Sequence, residues 1–221
     1  MKKYGLPALI LLMGLLYIFV IPKEPQGVKL LFKLIPMALI IVYAYFHFPA
    51  FGKRYHWTML AGLVFCMMGD GLLVWFIVGL SSFLIGHLFY MTAFFSKRSL
   101  SKLRVATIIP IALYAAFMGN ELIHALIRDD KHTLIVPVIV YVAVISLMAW
   151  SAILSGNKLA IAGSLLFVTS DSILSWNLFV SDVAYSGVWI MTTYYAAQFL
   201  MAHSLRPQTT AISPPAAVHL R

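Results

Sequence analysis

Long apolar runs separated by short polar clusters make up most of the 221 residues. Eight runs approach the ~20 apolar residues that a helix needs to cross a bilayer: about 5–21, 28–46, 57–76, 80–96, 104–120, 133–153, 158–179 and 184–205. Breaker residues mark several junctions: Pro22 with Pro25, Pro49 with Gly52, and Gly156 with Asn157. The third and fourth runs are expected to meet in a very short turn near Gly79. The predicted fold class is therefore all-α, an integral membrane bundle of eight transmembrane helices forming one domain over residues 1–206. From Pro207 the chain is rich in Pro, Thr and Ala, and residues 207–221 are expected to form a disordered cytoplasmic tail.

Composition sharpens this picture. The chain is 62% hydrophobic and only 10% charged, against about 25% charged in soluble domains. The polar stretches are too short to hold a separate soluble domain. Met1–Val20 has the basic start and apolar run of a signal peptide, but Ile21-Pro22-Lys23-Glu24-Pro25 follows in place of a small-residue cleavage site. An uncleaved first helix is expected.

The net charge of +9 does not point to nucleic acid, because the basic residues sit in short loops between the runs. With the N-terminus inside, 11 Lys and Arg fall on the inner side, 4 on the outer, and Lys33 within the second run. That bias favours both termini in the cytoplasm and an even number of spans. In a bacterium the host membrane is the cell membrane. Cys66 is the single cysteine, so no intrachain disulfide forms.

Five of the seven acidic residues, Glu24, Glu121, Asp129, Asp130 and Asp182, fall in outer loops. Asp70 and Asp171 are the two carboxylates inside spans, where a charge costs several kcal/mol and marks a functional hypothesis. They are 101 residues apart. The same shift superposes Ala61-Gly62 on Ala162-Gly163, Leu73 on Leu174, Trp75 on Trp176 and Pro36 on Pro137. Spans one to four then repeat as five to eight in one orientation, a parallel repeat.

Depth adds a further constraint. At 1.5 Å per residue, Asp70, Asp171, His87 and Lys33 lie about 9, 12, 10 and 8 Å from the outer ends of four different helices. Four ionisable groups in one layer describe a pocket. Tyr90 follows His87 by three residues, on the same helix face, and Tyr195 and Gln198 share that spacing on the eighth run. Each group also has a purely structural reading. Asp70 and Lys33 make an internal salt bridge, Asp171 a packing group hydrogen-bonded beside Ser170 and Ser172, and His87 a satisfied interior histidine. Tyr90 and Tyr195 pack, and Trp75 and Trp176 belong to an aromatic belt at the interface.

Two buried carboxylates have a defined chemistry. Desolvation and mutual repulsion separate their titrations, so that one stays protonated as a general acid while the other acts as a base. A nearby Lys or His tunes the pair or holds a phosphate. A zinc site needs three or four converging ligands. Here only His87 lies deep in a span, so neither metal nor other cofactor is expected. No phosphate-binding Gly-rich loop and no Ser nucleophile elbow occurs.

An ordered set of short stretches resembles the YhhN family of multi-pass membrane proteins, which includes the animal lysoplasmalogenases. They are Lys33-Leu-Ile-Pro36, Gly69-Asp70-x-Leu-Leu73, Gly86-His87-x-x-Tyr90 and Ala93-Phe94. Later come Ala162-Gly163, Phe167-x-x-Ser170-Asp171-Ser172-x-Leu174 and Tyr195-x-x-Gln198. The resemblance runs from about 28 to 205. It implies an eight-helix hydrolase that cleaves the vinyl ether of a lysophospholipid (a lysoplasmalogen) with water. The products are a fatty aldehyde and glycerophosphoethanolamine or glycerophosphocholine.

On that reading Asp70 and Asp171 are the catalytic acid–base pair. Lys33 meets the substrate phosphate or tunes Asp70, while His87, Tyr90, Tyr195 and Gln198 line the pocket. The partners are then substrate lipid, water and the bilayer, with no nucleic acid and with the oligomeric state left open. Two alternatives stand beside it: a proton-coupled small-molecule transporter, and a hydrolase of another ether or ester lipid.

Overall fold

The structure is a computed structural model that describes residues 2–22, 24–49 and 53–206. Lys23, Gly52 and the expected tail at 207–221 lie outside the described residues. Among those described, helix is the one regular element. The helices are α1 (Lys2–Leu15), α2 (Gln26–Phe46), α3 (Arg54–Leu72), α4 (Phe76–Ser96), a short α5 (Lys102–Ala106), α6 (Ile108–Arg128), α7 (Ile135–Ser155), α8 (Lys158–Ser175) and α9 (Ser186–His203). Wider π-type turns extend α1 over Leu16–Val20 and α8 over Trp176–Val180. Setting α5 aside, the eight long helices coincide with the eight apolar runs.

Among the described residues, five stretches are long and apolar enough to cross a membrane: Gln26–Phe46, Phe76–Ser96, Lys102–Arg128, His132–Ser155 and Lys158–Val180. The chain is a multi-pass membrane protein. Large apolar side chains such as Leu31, Leu113, Ile139 and Leu165 face outward, an arrangement that water penalises and lipid does not. The first helix is apolar but shorter, whereas α3 and α9 are less apolar for a reason that bears on function. Helix α3 begins at Arg54-Tyr55-His56 and carries Asp70 in its last turn, while α9 carries Tyr194, Tyr195 and Gln198 toward the interior.

Three boundaries differ from the sequence pattern. The turn between α3 and α4 falls at Leu73–Trp75, ahead of Gly79, which already lies inside α4. There Gly79 lets the first turn of α4 lie on the end of α3, since a Cβ would stand 2.6 Å from the Leu73 Cα. The fifth run is broken at Thr107, whose hydroxyl donates to the Arg104 carbonyl (2.6 Å). It then continues past 120 to Arg128, because a helix tolerates Glu121, His124 and Arg128 near its watery end. The Gly156-Asn157 junction matches expectation. Gly156 takes a left-handed φ of 71° at the end of α7, and the Asn157 side chain caps the N-terminus of α8 by accepting from the Leu159 and Ala160 amides.

The tightest pairs are the hairpins α3–α4 and α8–α9. Both rely on small residues, as lipid-embedded helices do. At Gly86 a Cβ would stand 2.9 Å from Cys66 Sγ and 3.1 Å from the Gly62 carbonyl; at Gly163 one would stand 2.9 Å from the Ala197 carbonyl. Each hairpin is also pinned by a serine. Ser82 donates across to the Phe65 carbonyl (2.7 Å), and Ser170 to the Ile190 carbonyl (3.0 Å). Beyond the hairpins, α2 packs on α1, α3 and α9, while α7 packs on α6, α8 and α4. Exchanging α1–α4 with α6–α9 maps these neighbours onto one another.

Candidate functional site

The polar interior is assembled where the two hairpins meet α2 and α7. Asp70, near the end of α3, is 4% exposed. Its Oδ1 lies 2.9 Å from Lys33 Nζ of α2, and its Oδ2 accepts from the Tyr194 hydroxyl of α9 at 2.6 Å. Each carboxylate oxygen thus has one partner, from two different helices. The position of Lys33 is itself held, because the Tyr195 hydroxyl donates to the Lys33 carbonyl at 2.8 Å, and Tyr17 of α1 meets Tyr195 edge-on.

Asp171 on α8 has a different setting. The Tyr141 hydroxyl of α7 donates to its Oδ2 in a short hydrogen bond, and among the described residues no cation pairs with it. It lines a largely apolar cavity enclosed by α4, α6, α7 and α8, whose walls include Phe83, Met118, Val142 and Leu178. Ser172 lines the same cavity and accepts from Tyr114 of α6 at 2.8 Å.

The two carboxylates share no hydrogen bond. A row of rings runs between them. Tyr194, bonded to Asp70, packs edge-on to Phe167 (5.4 Å between centroids). Phe167 packs on His87 (4.6 Å), and His87 on Tyr141 (5.4 Å), the partner of Asp171. His87 is fully buried, and neither ring nitrogen has a hydrogen-bond partner among the described residues. Such an orphaned polar group in a packed interior calls for an explanation. Phe83 completes the aromatic layer, edge-on to both Phe167 and Tyr194, and it also lines the cavity on the Asp171 side.

Tyr90 and Gln198 form a separate contact further along α4 and α9. The Tyr90 hydroxyl donates to Gln198 Oε1 at 2.7 Å, fully buried, while Gln198 Nε2 has no partner among the described residues. Thus Lys33 and Asp70 come together, His87 and Asp171 are linked through Tyr141, and Tyr90 and Gln198 pair with each other.

Two members escaped the sequence pattern. Tyr194 precedes Gln198 by four residues and shares its buried face with Met191 and Met201, so the helix period contained the signal. Tyr141 had none, since tyrosine is common in this chain.

The YhhN family matches over residues 28–205, from the first turn of α2 to just past the end of α9. The chain belongs to the YhhN family. It is 30% identical over 196 residues to the mouse protein named lysoplasmalogenase TMEM86B, covering 87% of this chain and 82% of that one. It is 32% identical over 200 residues to the human lysoplasmalogenase TMEM86A, covering 82% and 80%, and 29% identical over 195 residues to the rat TMEM86B, covering 86% and 79%. No solved structure matches the chain. The stretch shared with the YhhN family holds Asp70, Asp171 and the side chains that partner them among the described residues.

Proposed function

We propose that this YhhN protein is a membrane hydrolase of lysoplasmalogens. It cleaves the vinyl ether bond to a fatty aldehyde and glycerophosphoethanolamine or glycerophosphocholine. The likeness to proteins named lysoplasmalogenase, over at least 80% of both chains in the mouse and human cases, supports the reaction class. The observation that carries the mechanism is the unequal setting of the two aspartates. Asp70 is ion-paired, whereas Asp171 faces an apolar cavity without a cation.

In this reading Asp171 is the general acid. Tyr141 occupies Oδ2, which leaves Oδ1 to carry the transferable proton. That proton goes to the outer alkene carbon of the vinyl ether, and the alkene's electron pair forms the new C–H bond. Water attacks the oxocarbenium carbon and gives its proton back to Asp171, and the neutral hemiacetal then collapses to aldehyde and the glycerol hydroxyl. Every atom comes from substrate, water and one shuttled proton.

Asp70 supplies fixed negative charge one aromatic layer away, where low dielectric strengthens its pull on the developing cation. Lys33, at 2.9 Å, partners that charge. His87 contributes an unengaged ring nitrogen, beside Tyr141, that suits it to orient water. The apolar cavity takes the alkyl chain, and α6, on its outer wall, faces lipid through Leu113 and Phe117.

The architecture belongs to the same proposal. The eight long helices are eight spans, arranged as two parallel four-helix repeats in one membrane domain. Both termini are cytoplasmic, at the end of the bundle that holds Lys53, Lys97, Lys158 and Arg206. The exchange symmetry of the helix neighbours and the charge bias support this.

The test is aldehyde release from a lysoplasmalogen by purified protein in detergent, with Asp70→Asn and Asp171→Asn alongside. Turnover by the wild type without any ion gradient separates hydrolysis from proton-coupled transport. Full activity in Asp171→Asn overturns the assignment of the acid.

A further inference from the structure

At the end of the bundle away from Asp70 and Asp171, a cavity of about 500 Å³ opens between the start of α3, the end of α4, the α7–α8 turn and the end of α9. Its lining brings together Lys53, Lys97 and Arg206, three cations from three distant stretches, with His56 beside them. Among the described residues, no lining side chain is acidic. Among the described residues, none of these three cations has a carboxylate partner. A fourth cation, Arg104, lies against the wall. Its guanidinium stands 2.5 Å from where a Cβ of Gly156 would be, and it is held by the Ser99 carbonyl at 3.3 Å.

This cluster is placed by the fold as well as by loop composition. His47 donates from Nδ1 to the Tyr43 carbonyl (2.7 Å), so its Nε2 is left to accept from Arg206 at 2.7 Å. The same guanidinium lies over the Tyr43 ring, 5.3 Å from its centroid. Arg206 Nε is buried and has no protein acceptor among the described residues. Lys97 is steadied over the Tyr55 ring at 5.4 Å, and Tyr55 also lines the cavity. Gathering like charges without a counter-charge is unfavourable unless an anion joins them. A planar Arg fork with two ammonium groups fits a tetrahedral oxyanion.

We propose that this cavity is a binding site for a phosphate group, distinct from the aspartate site. The chemistry is shared by two sources: the headgroup of an anionic phospholipid in the adjoining leaflet, and a free phosphate or phosphate ester. The proposal does not depend on the hydrolase reading.

The experiment follows the thermal unfolding midpoint of the full-length protein in two arms. In uncharged detergent, inorganic phosphate is titrated against chloride at matched ionic strength. In nanodiscs, phosphatidylcholine is compared with phosphatidylcholine containing phosphatidylglycerol. A saturable rise of about 3–5 °C is expected, as for a ligand at roughly ten times its dissociation constant.

A rise with phosphate in detergent identifies a free anion, and a rise with phosphatidylglycerol alone identifies a headgroup. Lys53→Gln with Lys97→Gln should lose most of the rise, while Arg128→Gln at the opposite end should keep it. If the double variant does not fold, the exposed Lys97→Gln alone should at least halve it. No rise in either arm, or an undiminished rise in the lysine variants, overturns the site.

Discussion

Asp70 and Asp171 occupy matching places on α3 and α8, the first helix of each tight hairpin, yet their surroundings have opposite character. Asp70 is shared between a cation and a tyrosine, with each oxygen engaged. Asp171 has one tyrosine and an apolar cavity. On the proposed reading this difference divides labour: the ion-paired carboxylate contributes charge, and the one facing an apolar space delivers the proton. On that reading, two similar places in the fold thereby supply two chemical roles.

The largest effect that would break this comparison comes from the aspartates themselves. Asp171→Asn should lower aldehyde release by about 10²–10⁴-fold, the range of a lost general acid, with the unfolding midpoint nearly unchanged. Asp70→Asn should lose activity and also destabilise, by about 3 kcal/mol, because Lys33 is left partly buried without its partner. Comparable destabilisation by both variants would erase the distinction.

A double replacement sharpens the point. Lys33→Met with Asp70→Leu removes both charges and should recover most of the lost stability, since apolar replacement of a buried pair is often neutral or better. Activity should stay low. Recovered activity would reduce the pair to a structural bridge.

The tyrosines rank next. Tyr141→Phe should slow turnover by about 10–100-fold, the worth of one hydrogen bond to a carboxyl group in the interior. Tyr194→Phe should cost less, because Lys33 still holds Asp70. Single-turnover rates for the two variants test the order, and a larger loss in Tyr194→Phe reverses the assignment of roles.

The smallest stability change is expected at His87. Replacement by Leu removes two unpartnered ring nitrogens and should leave the unfolding midpoint level or slightly higher. If His87 orients water, turnover still falls by about 10-fold, the lower side of acid–base contributions. Unchanged turnover assigns the ring to packing alone.

Much of the helical scaffold was legible because lipid imposes a simple rule: about 20 apolar residues per crossing. Deviations appear where local polar chemistry competes, as at Thr107, or where a glycine permits contact and need not mark a turn, as at Gly79. The Lys33–Asp70 pair was legible because opposite charges in hydrocarbon have few other options. The choice of Tyr194 over its neighbour Tyr195 was less so. Adjacent helical residues point about 100° apart, and only packing decides which one faces the carboxylate.

By itself, the sequence determined that this chain is a helical membrane protein, with two carboxylates inside its long apolar runs and most of its cations in the short polar stretches between them. These follow from composition and spacing, which act along the chain. Only the tertiary structure decided which groups meet: Tyr141 with Asp171, Tyr194 with Asp70, His87 between them, and Lys53, Lys97 and Arg206 around one cavity. Contacts of this kind join residues up to 162 positions apart, as Tyr195 to Lys33 does. They depend on how helices rotate and cross, which the close glycine contacts of the two hairpins set and linear spacing does not encode.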